Sequence, residues 1–290
     1  MNDRFLADVS NRRERRKMLG DLASEADRRI GGVSGEWGLI HGRRLDMIVE
    51  RVLSVGREKK DGSVRILNAS GMSKGQFDFP LLTCLRHCLE GGEISWTAVE
   101  HPESSYLKNP CFQEQVKNLG IEVKCFDLNR AGPACPILDG RQYDVVLLTE
   151  ILEHLDYTTA VRWIAALREI VAPNGILIIT TPNLCRISNR IRMLFGRDEL
   201  GYFGDGWNEV RQGLLGHVVY WGVDRLERLL DEIGFEVVEK FYFNQGRIYG
   251  RGQWREKGIG LLMDAWASMV PRGKTHFMMV ARIKDGGNGA

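Results

Sequence analysis

Two neighbouring runs decide the reading of this chain: Tyr143-Asp-Val-Val-Leu-Leu-Thr-Glu-Ile-Leu-Glu-His-Leu155, and Leu167-Arg-Glu-Ile-Val-Ala-Pro-Asn-Gly-Ile-Leu-Ile-Ile-Thr-Thr-Pro-Asn183. Residues 144–149 are apolar on both faces, as a strand buried at the centre of a parallel sheet must be. Residues 176–181 have the same character, and Pro173-Asn174-Gly175 reads as the turn before them. Between these two strands, residues 158–171 have the length and composition of a helix.

Working outward, the same rhythm runs from Val64 to Ile283. Strands are expected at 64–68, 94–100, 121–126, 235–243 and 276–283. Helices are expected at 79–89, 109–119 and 223–233, with Gly234 as the C-cap of the last. This alternation predicts an α/β fold with a doubly wound, Rossmann-like, mostly parallel sheet. The rhythm changes at the end, where residues 244–275, helical over 258–269, join the last two strands.

The first sixty residues differ. Asn11-Arg-Arg-Glu-Arg-Arg-Lys17 is a charge cluster on a helix to which Phe5, Leu6, Val9, Met18, Leu19 and Leu22 give one apolar side. The simplest reading is a solvated helix on the domain edge. A sharper one is contact with a membrane surface or polyanion, diluted by Asp8, Glu14, Asp21, Glu25 and Asp27. Gly31 to Gly35 breaks that helix, residues 45–55 form another, and Asp61-Gly62 turns. The expected organisation is a helical extension or lid over 1–60 and a main domain over 61–284. Residues 184–216 are an acceptor-side insertion and 244–275 a second insertion, and 285–290 are a disordered tail.

Bulk properties bound the function. The chain has 290 residues, 43% hydrophobic and 27% charged, enough for one large domain with a sizeable core. A formal net charge of +2 does not favour nucleic acid as a partner. No apolar run approaches the roughly 18 residues a bilayer span needs, and no signal-peptide core is present, so a cytoplasmic protein is expected. The six cysteines include no Cys-x-x-Cys pair. Cys84 and Cys88 share a helix face and read as reduced thiols rather than a zinc site.

In open α/β sheets, ligands bind beyond the carboxyl ends of the strands. Glu100, ending the second strand, is placed to accept hydrogen bonds from a ribose diol. Asp127, after the third, is placed to read an adenine edge. The loop after the first strand, Asn68-Ala-Ser-Gly-Met-Ser-Lys-Gly75, keeps only Gly71 and Gly75. Glycines let backbone amides approach a pyrophosphate; a sulfonium nucleoside, having no phosphates, needs them less than a dinucleotide does.

The runs 143–155 and 167–183 resemble the fourth- and fifth-strand motifs of class I S-adenosylmethionine-dependent methyltransferases, of the small-molecule or ubiquinone-biosynthesis type. Gly216-His217-Val218 and residues 226–235 resemble the segment that follows. The resemblance implies seven strands with the last antiparallel, and S-adenosyl-L-methionine as cofactor. It places Asn68, Ser70 and Gly71 along the methionine end and Glu100 on the ribose. Asp127 and Leu128 would flank the adenine, and Thr149 and Glu150 would lie beneath the methionine portion. The chain departs from the family pattern at Asn68, where an acid is usual, at Ser70, where a glycine is usual, and in the long gap from Gly75 to Glu100.

Methyl transfer to a hydroxyl needs a general base, and His154 and His217 have the fitting context, with Glu153 beside them. Arg186, Arg190, Arg192, Arg197, Trp207 and Arg211 in the insertion suit a phosphorylated, glycosyl or otherwise anionic acceptor. Glu150-x-x-Glu153-His154 also resembles the metal-binding cluster of some ubiquinone-biosynthesis and small-RNA 2′-O-methyltransferases. That resemblance would add Mg²⁺ or a similar ion with His217 as fourth ligand. The same tripeptide occurs in metal-free relatives, so a divalent metal is not favoured. The expected function is methyl transfer to oxygen or nitrogen of a small-molecule, sugar or lipid-linked acceptor. The alternatives are a degenerate methyltransferase-like binding or scaffold protein, suggested by the first loop, and a nicotinamide-dependent oxidoreductase.

Overall fold

The computed structural model describes residues 12–29, 37–72, 75–89, 92–128, 139–197, 217–245, 254–270 and 272–284. Phe5, Leu6 and Val9, the break at Gly31–Gly35, Cys135, Trp207, Arg211, most of the 184–216 insertion and the 285–290 tail lie outside them.

The elements are α1 (Arg12–Arg29), α2 (Trp37–Glu58), β1 (Val64–Asn68), α3 (Asp78–Cys88), β2 (Ile94–Glu100), α4 (Pro110–Asn118), β3 (Ile121–Cys125), β4 (Tyr143–Thr149), α5 (Tyr157–Arg168), β5 (Val171–Pro182), α6 (Ile187–Leu194), α7 (Val223–Ile233), β6 (Phe235–Phe243), α8 (Trp254–Met269) and β7 (His276–Ile283). Single 3₁₀ turns at Ser105–Lys108 and Leu152–His154 follow β2 and β4. The strands form one sheet in the order β3-β2-β1-β4-β5-β7-β6. β1 runs parallel to β2 and β4, and β2 parallel to β3. β7 is antiparallel to both β5 and β6. This is the expected Rossmann-like sheet with the last strand reversed. β4 is buried at all seven positions, as its sequence requires of a central strand.

The chain divides into two compact units. The first contains α1–α4, β1–β3 and most of β4; the second contains the end of β4 and the later elements. In the first unit, α1 packs on α2 and α3; within the N-terminal charge cluster Arg15 is buried and Arg16 half-buried, while Arg12, Arg13, Glu14 and Lys17 are exposed. Asp46 of α2 is fully buried and takes Arg15 Nε on Oδ1 and Arg16 Nε on Oδ2, both at 2.7 Å. Glu50 takes Arg15 at 2.9 Å and also pairs with Arg12. These arginines neutralise the buried Asp46 and the half-buried Glu50 on a neighbouring helix, because an unpaired buried charge would cost several kcal/mol, on the order of 3–5.

Capping sets several boundaries. Asn109 caps α4, which opens on Pro110. Asp156 caps α5 through the Thr158 and Thr159 amides. Gly234 ends α7 at φ 97°, as expected. β5 is longer than its apolar core, since the strand runs through Pro173-Asn174-Gly175 instead of turning there. Cys84 and Cys88 share α3 as free thiols with sulfurs 4.0 Å apart.

Candidate active site

In the first unit, the loop after β1 is held by side chains where glycines are few. Asn68 is fully buried. Its Oδ1 accepts the Ser70 amide at 3.1 Å, and its Nδ2 donates to the Gly71 carbonyl at 3.1 Å. The same Nδ2 reaches Asp78 Oδ1 at 2.9 Å, and Trp96 Nε1 donates to that oxygen at 2.8 Å. Ser70 Oγ closes onto the Leu147 carbonyl at 3.2 Å. Gly71 turns at φ 90° and Gly75 at φ 78°. A Cβ on Gly75 would lie 2.2 Å from the Phe79 ring, so that glycine is required by space as well as by backbone.

Asp78 is buried beneath this loop. Burial pushes its carboxyl up to about 7, against the hydrogen bonds from Asn68 and Trp96 that favour the charged form; the nearby Glu100 charge adds to the rise. The acid usual at the end of β1 is thus not lost from the neighbourhood. It stands ten residues later, bonded to the asparagine that replaces it. No motif in the sequence marked Asp78 or Trp96, because the pairing is made by tertiary packing.

Glu100 sits where expected, at the end of β2 and buried. Its Oε2 accepts the Met72 amide and the Tyr106 hydroxyl, each at 2.8 Å, and its Oε1 accepts the His101 amide at 2.8 Å. A carboxylate offers about four lone-pair positions, and three are engaged. Asp127 lies half-buried after β3, with Oδ1 3.8 Å from His101 Nε2, and Leu128 follows it. Gly71 and Glu100 come together, since a Cβ on Gly71 would meet Glu100 Oε2 at 3.7 Å.

The second unit holds the proposed reaction residues. Thr149 is buried at the end of β4. Glu150 follows in a left-handed conformation, φ 52°, which costs a non-glycine residue on the order of 1 kcal/mol. It is held there by Thr180, whose carbonyl accepts the Glu150 amide at 2.8 Å and whose Oγ1 donates to Glu150 Oε1 at 2.9 Å. His276 Nε2 lies 3.4 Å from the other carboxylate oxygen. Glu153 is buried and accepts Thr181 Oγ1 at 2.9 Å. Residues 217–221 dock on this turn. The Val218 and Val219 amides donate to the Glu153 carbonyl at 2.6 and 3.1 Å, and Trp221 Nε1 donates to Leu152 O at 3.1 Å.

That docking sets the His217 ring edge-on to His154 at 4.8 Å between centroids. Donor atoms of Glu153, His154 and His217 lie within 4.8 Å of one another, a spacing a divalent ion could draw together. Glu150 stands outside that trio, on Thr180 and His276. Burial lowers His217 to about 4, with His154, His276 and Arg186 opposing its protonation and Glu150 favouring it. His217 is therefore neutral near pH 7, able to accept a proton or ligate a metal. His276 was missed in the sequence. The available signal was topological: a strand antiparallel to β5 begins beside the end of β5, and His276 pairs with Pro182.

The model of a methyltransferase-domain family matches residues 61–240. The chain belongs to that family. Solved structures agree on the fold. An O-methyltransferase family protein from Burkholderia thailandensis superposes with a TM-score of 0.51 at 15% identity, over 98% of this chain and 62% of that chain. The chain thus spans less than two thirds of the Burkholderia protein. Magnesium protoporphyrin IX methyltransferase from Synechocystis PCC 6803, with bound SAH, gives 0.51 at 14% identity over 93% and 98%. A putative methyltransferase in complex with the Haloferax volcanii Trm112 activator gives 0.51 at 11% over the same shares. Comparison with curated protein sequences gave no match. A methyltransferase-domain family is what the strand motifs implied.

Proposed function

We propose that this chain transfers a methyl group from S-adenosyl-L-methionine to an oxygen or nitrogen of a small-molecule, glycosyl or lipid-linked acceptor. The observation that carries the reading is the gathering of Glu153, His154 and His217, on segments distant in sequence, at the turn after β4. The cofactor brings an electrophilic sulfonium methyl. The protein's task is then to hold the acceptor in line, exclude water and remove a proton. His217, neutral at pH 7, or His154 beside it takes that proton, and the buried Glu153 carboxylate stabilises the imidazolium formed.

Glu100 is the ribose acceptor of this reading, and Asn68, Ser70 and Gly71 shape the loop for the methionine end. The bonded loop argues against the degenerate-scaffold reading: its few glycines are compensated by Asn68 and Asp78, so its shape is kept. Asp127 and Leu128 remain the adenine neighbours, and Thr149 and Glu150 the floor beneath the methionine.

A metal-assisted variant rests on the donor trio. In it Glu153, His154 and His217 would hold a divalent ion that acidifies an acceptor hydroxyl. The deciding experiment is turnover before and after exhaustive chelation, with S-adenosylhomocysteine release as readout. Unchanged turnover leaves the histidines as bases. Loss restored by Mg²⁺ or Zn²⁺ assigns them as ligands. The roles given to the histidines fail if His154→Ala and His217→Ala turn over every accepted substrate as fast as the native chain; the broader proposal fails if the native chain binds no S-adenosylmethionine.

A further inference from the structure

Asp78, the first residue of α3, is fully buried beneath the loop that follows β1. Its bonded neighbours are all donors. Asn68 Nδ2 reaches Oδ1 at 2.9 Å and Oδ2 at 3.1 Å, and Trp96 Nε1 reaches Oδ1 at 2.8 Å. None of these groups can accept an acid proton, so the bonding suits a carboxylate. Burial and the charge of Glu100 favour the neutral acid instead. Bonding and burial therefore pull this carboxyl in opposite directions.

Asn68 carries that conflict to the loop. Its Nδ2 also donates to the Gly71 carbonyl at 3.1 Å, and its Oδ1 accepts the Ser70 amide at 3.1 Å. A proton on Asp78 Oδ2 would meet the Asn68 N–H and break that contact. Turning the Asn68 amide over to accept the proton would abandon Ser70 and Gly71 instead. The ionised carboxyl and the bonded loop thus belong together. Among the described residues, Glu100 of β2 is the charged side chain that acts on Asp78 directly. From α2, Arg44 lies over the ring of Phe77, the residue before Asp78, 5.7 Å from its centroid. Arg15 of α1 and Asp46 of α2 are paired with each other and act on Cys84, further along α3.

We propose that Asp78 is a positioning residue of the cofactor site: it releases its proton to solvent when the cationic cofactor settles on the Asn68–Gly71 loop, and the carboxylate then fixes the Asn68 amide in its loop-holding orientation. The inference rests on the S-adenosylmethionine reading above. That cofactor carries a net positive charge through its sulfonium, and a cation brought near a buried carboxyl favours the ionised form. S-adenosylhomocysteine has lost the sulfonium charge and draws the proton off less. The site's preference for cofactor over product therefore grows as pH rises.

The test is calorimetric titration of the full chain with S-adenosylmethionine at pH 7, in phosphate and in Tris, whose ionisation heats differ. With a free-state value of about 7, about half a proton should be released per cofactor bound. Affinity should rise about ten-fold from pH 6 to pH 8. Asp78→Asn should remove both effects, and S-adenosylhomocysteine should release fewer protons than S-adenosylmethionine. Trp96→Phe keeps the carboxyl but takes away one donor to its charged form, so it should move the midpoint of the affinity profile to higher pH. Equal proton release by the native chain and Asp78→Asn overturns the proposal, as does an unmoved midpoint in Trp96→Phe. Binding without proton release overturns it while leaving the cofactor reading intact, whereas no binding of either compound at any pH overturns both.

Discussion

Asp78 shows how one buried carboxyl links loop shape to pH. Its folded-state value, about 7, lies above the unfolded value, so the native state holds this proton more tightly between roughly pH 4 and 7. Stability from this group is therefore full below that window and is lost as pH rises through it. Asp78→Asn should leave the melting temperature near native at pH 5 and raise it relative to native at pH 8; an equal difference at both pH values would contradict the assignment. His217 has the opposite sign. Its value is lowered to about 4, so its contribution is present above pH 6.5 and is lost as pH falls toward 4. In catalysis, His217→Ala or His154→Ala should cut turnover roughly a hundred- to ten-thousand-fold while cofactor affinity changes little, checked by single-turnover kinetics beside a binding titration. Tyr106 competes for the Glu100 oxygen that a ribose hydroxyl would use. Tyr106→Phe should therefore tighten S-adenosylhomocysteine binding a few-fold by calorimetry, whereas weaker binding would make Tyr106 a support for Glu100.

At the scale of elements, the loop from Asn68 to Gly75 behaves as a bonded unit with α3. Gly75→Ala would force a Cβ into the Phe79 ring in a left-handed backbone, at a cost of about 1–3 kcal/mol, read as a lowered denaturation midpoint. This loop also marks where sequence reading ran out. The strands were legible because parallel central strands are apolar on both faces, and β1, β2, β6 and β7 have the bounds their patterns predict. The loop's soundness was not legible, because its glycine count says nothing of Asp78 and Trp96, which reach it only through packing. β5 shows the reverse failure. Pro173-Asn174-Gly175 has turn composition, yet the strand runs through it. Glu153, His154 and His217, which lie together, were singled out because strand ends and a family resemblance point to them, whereas His276 is visible only once β7 is known to run antiparallel beside β5.

Across the whole molecule, the two N-terminal helices are tied to each other by ion pairs from Arg15 to the buried Asp46 and to Glu50. Asp46→Ala would leave the buried Arg15 with Glu50 alone and should cost about 1–3 kcal/mol by chemical denaturation. The inward turn of Arg15 and Arg16 was not legible in the sequence because their partner lies some thirty residues later, on another helix. The central claim remains that a loop with few glycines and an intact strand-end cluster make a working methyltransferase. Isothermal titration of the full chain with S-adenosylhomocysteine tests it most directly. The account predicts one site of micromolar affinity, weakened by Glu100→Ala. No heat of binding, with NAD binding in its place or with no nucleotide bound at all, would contradict it.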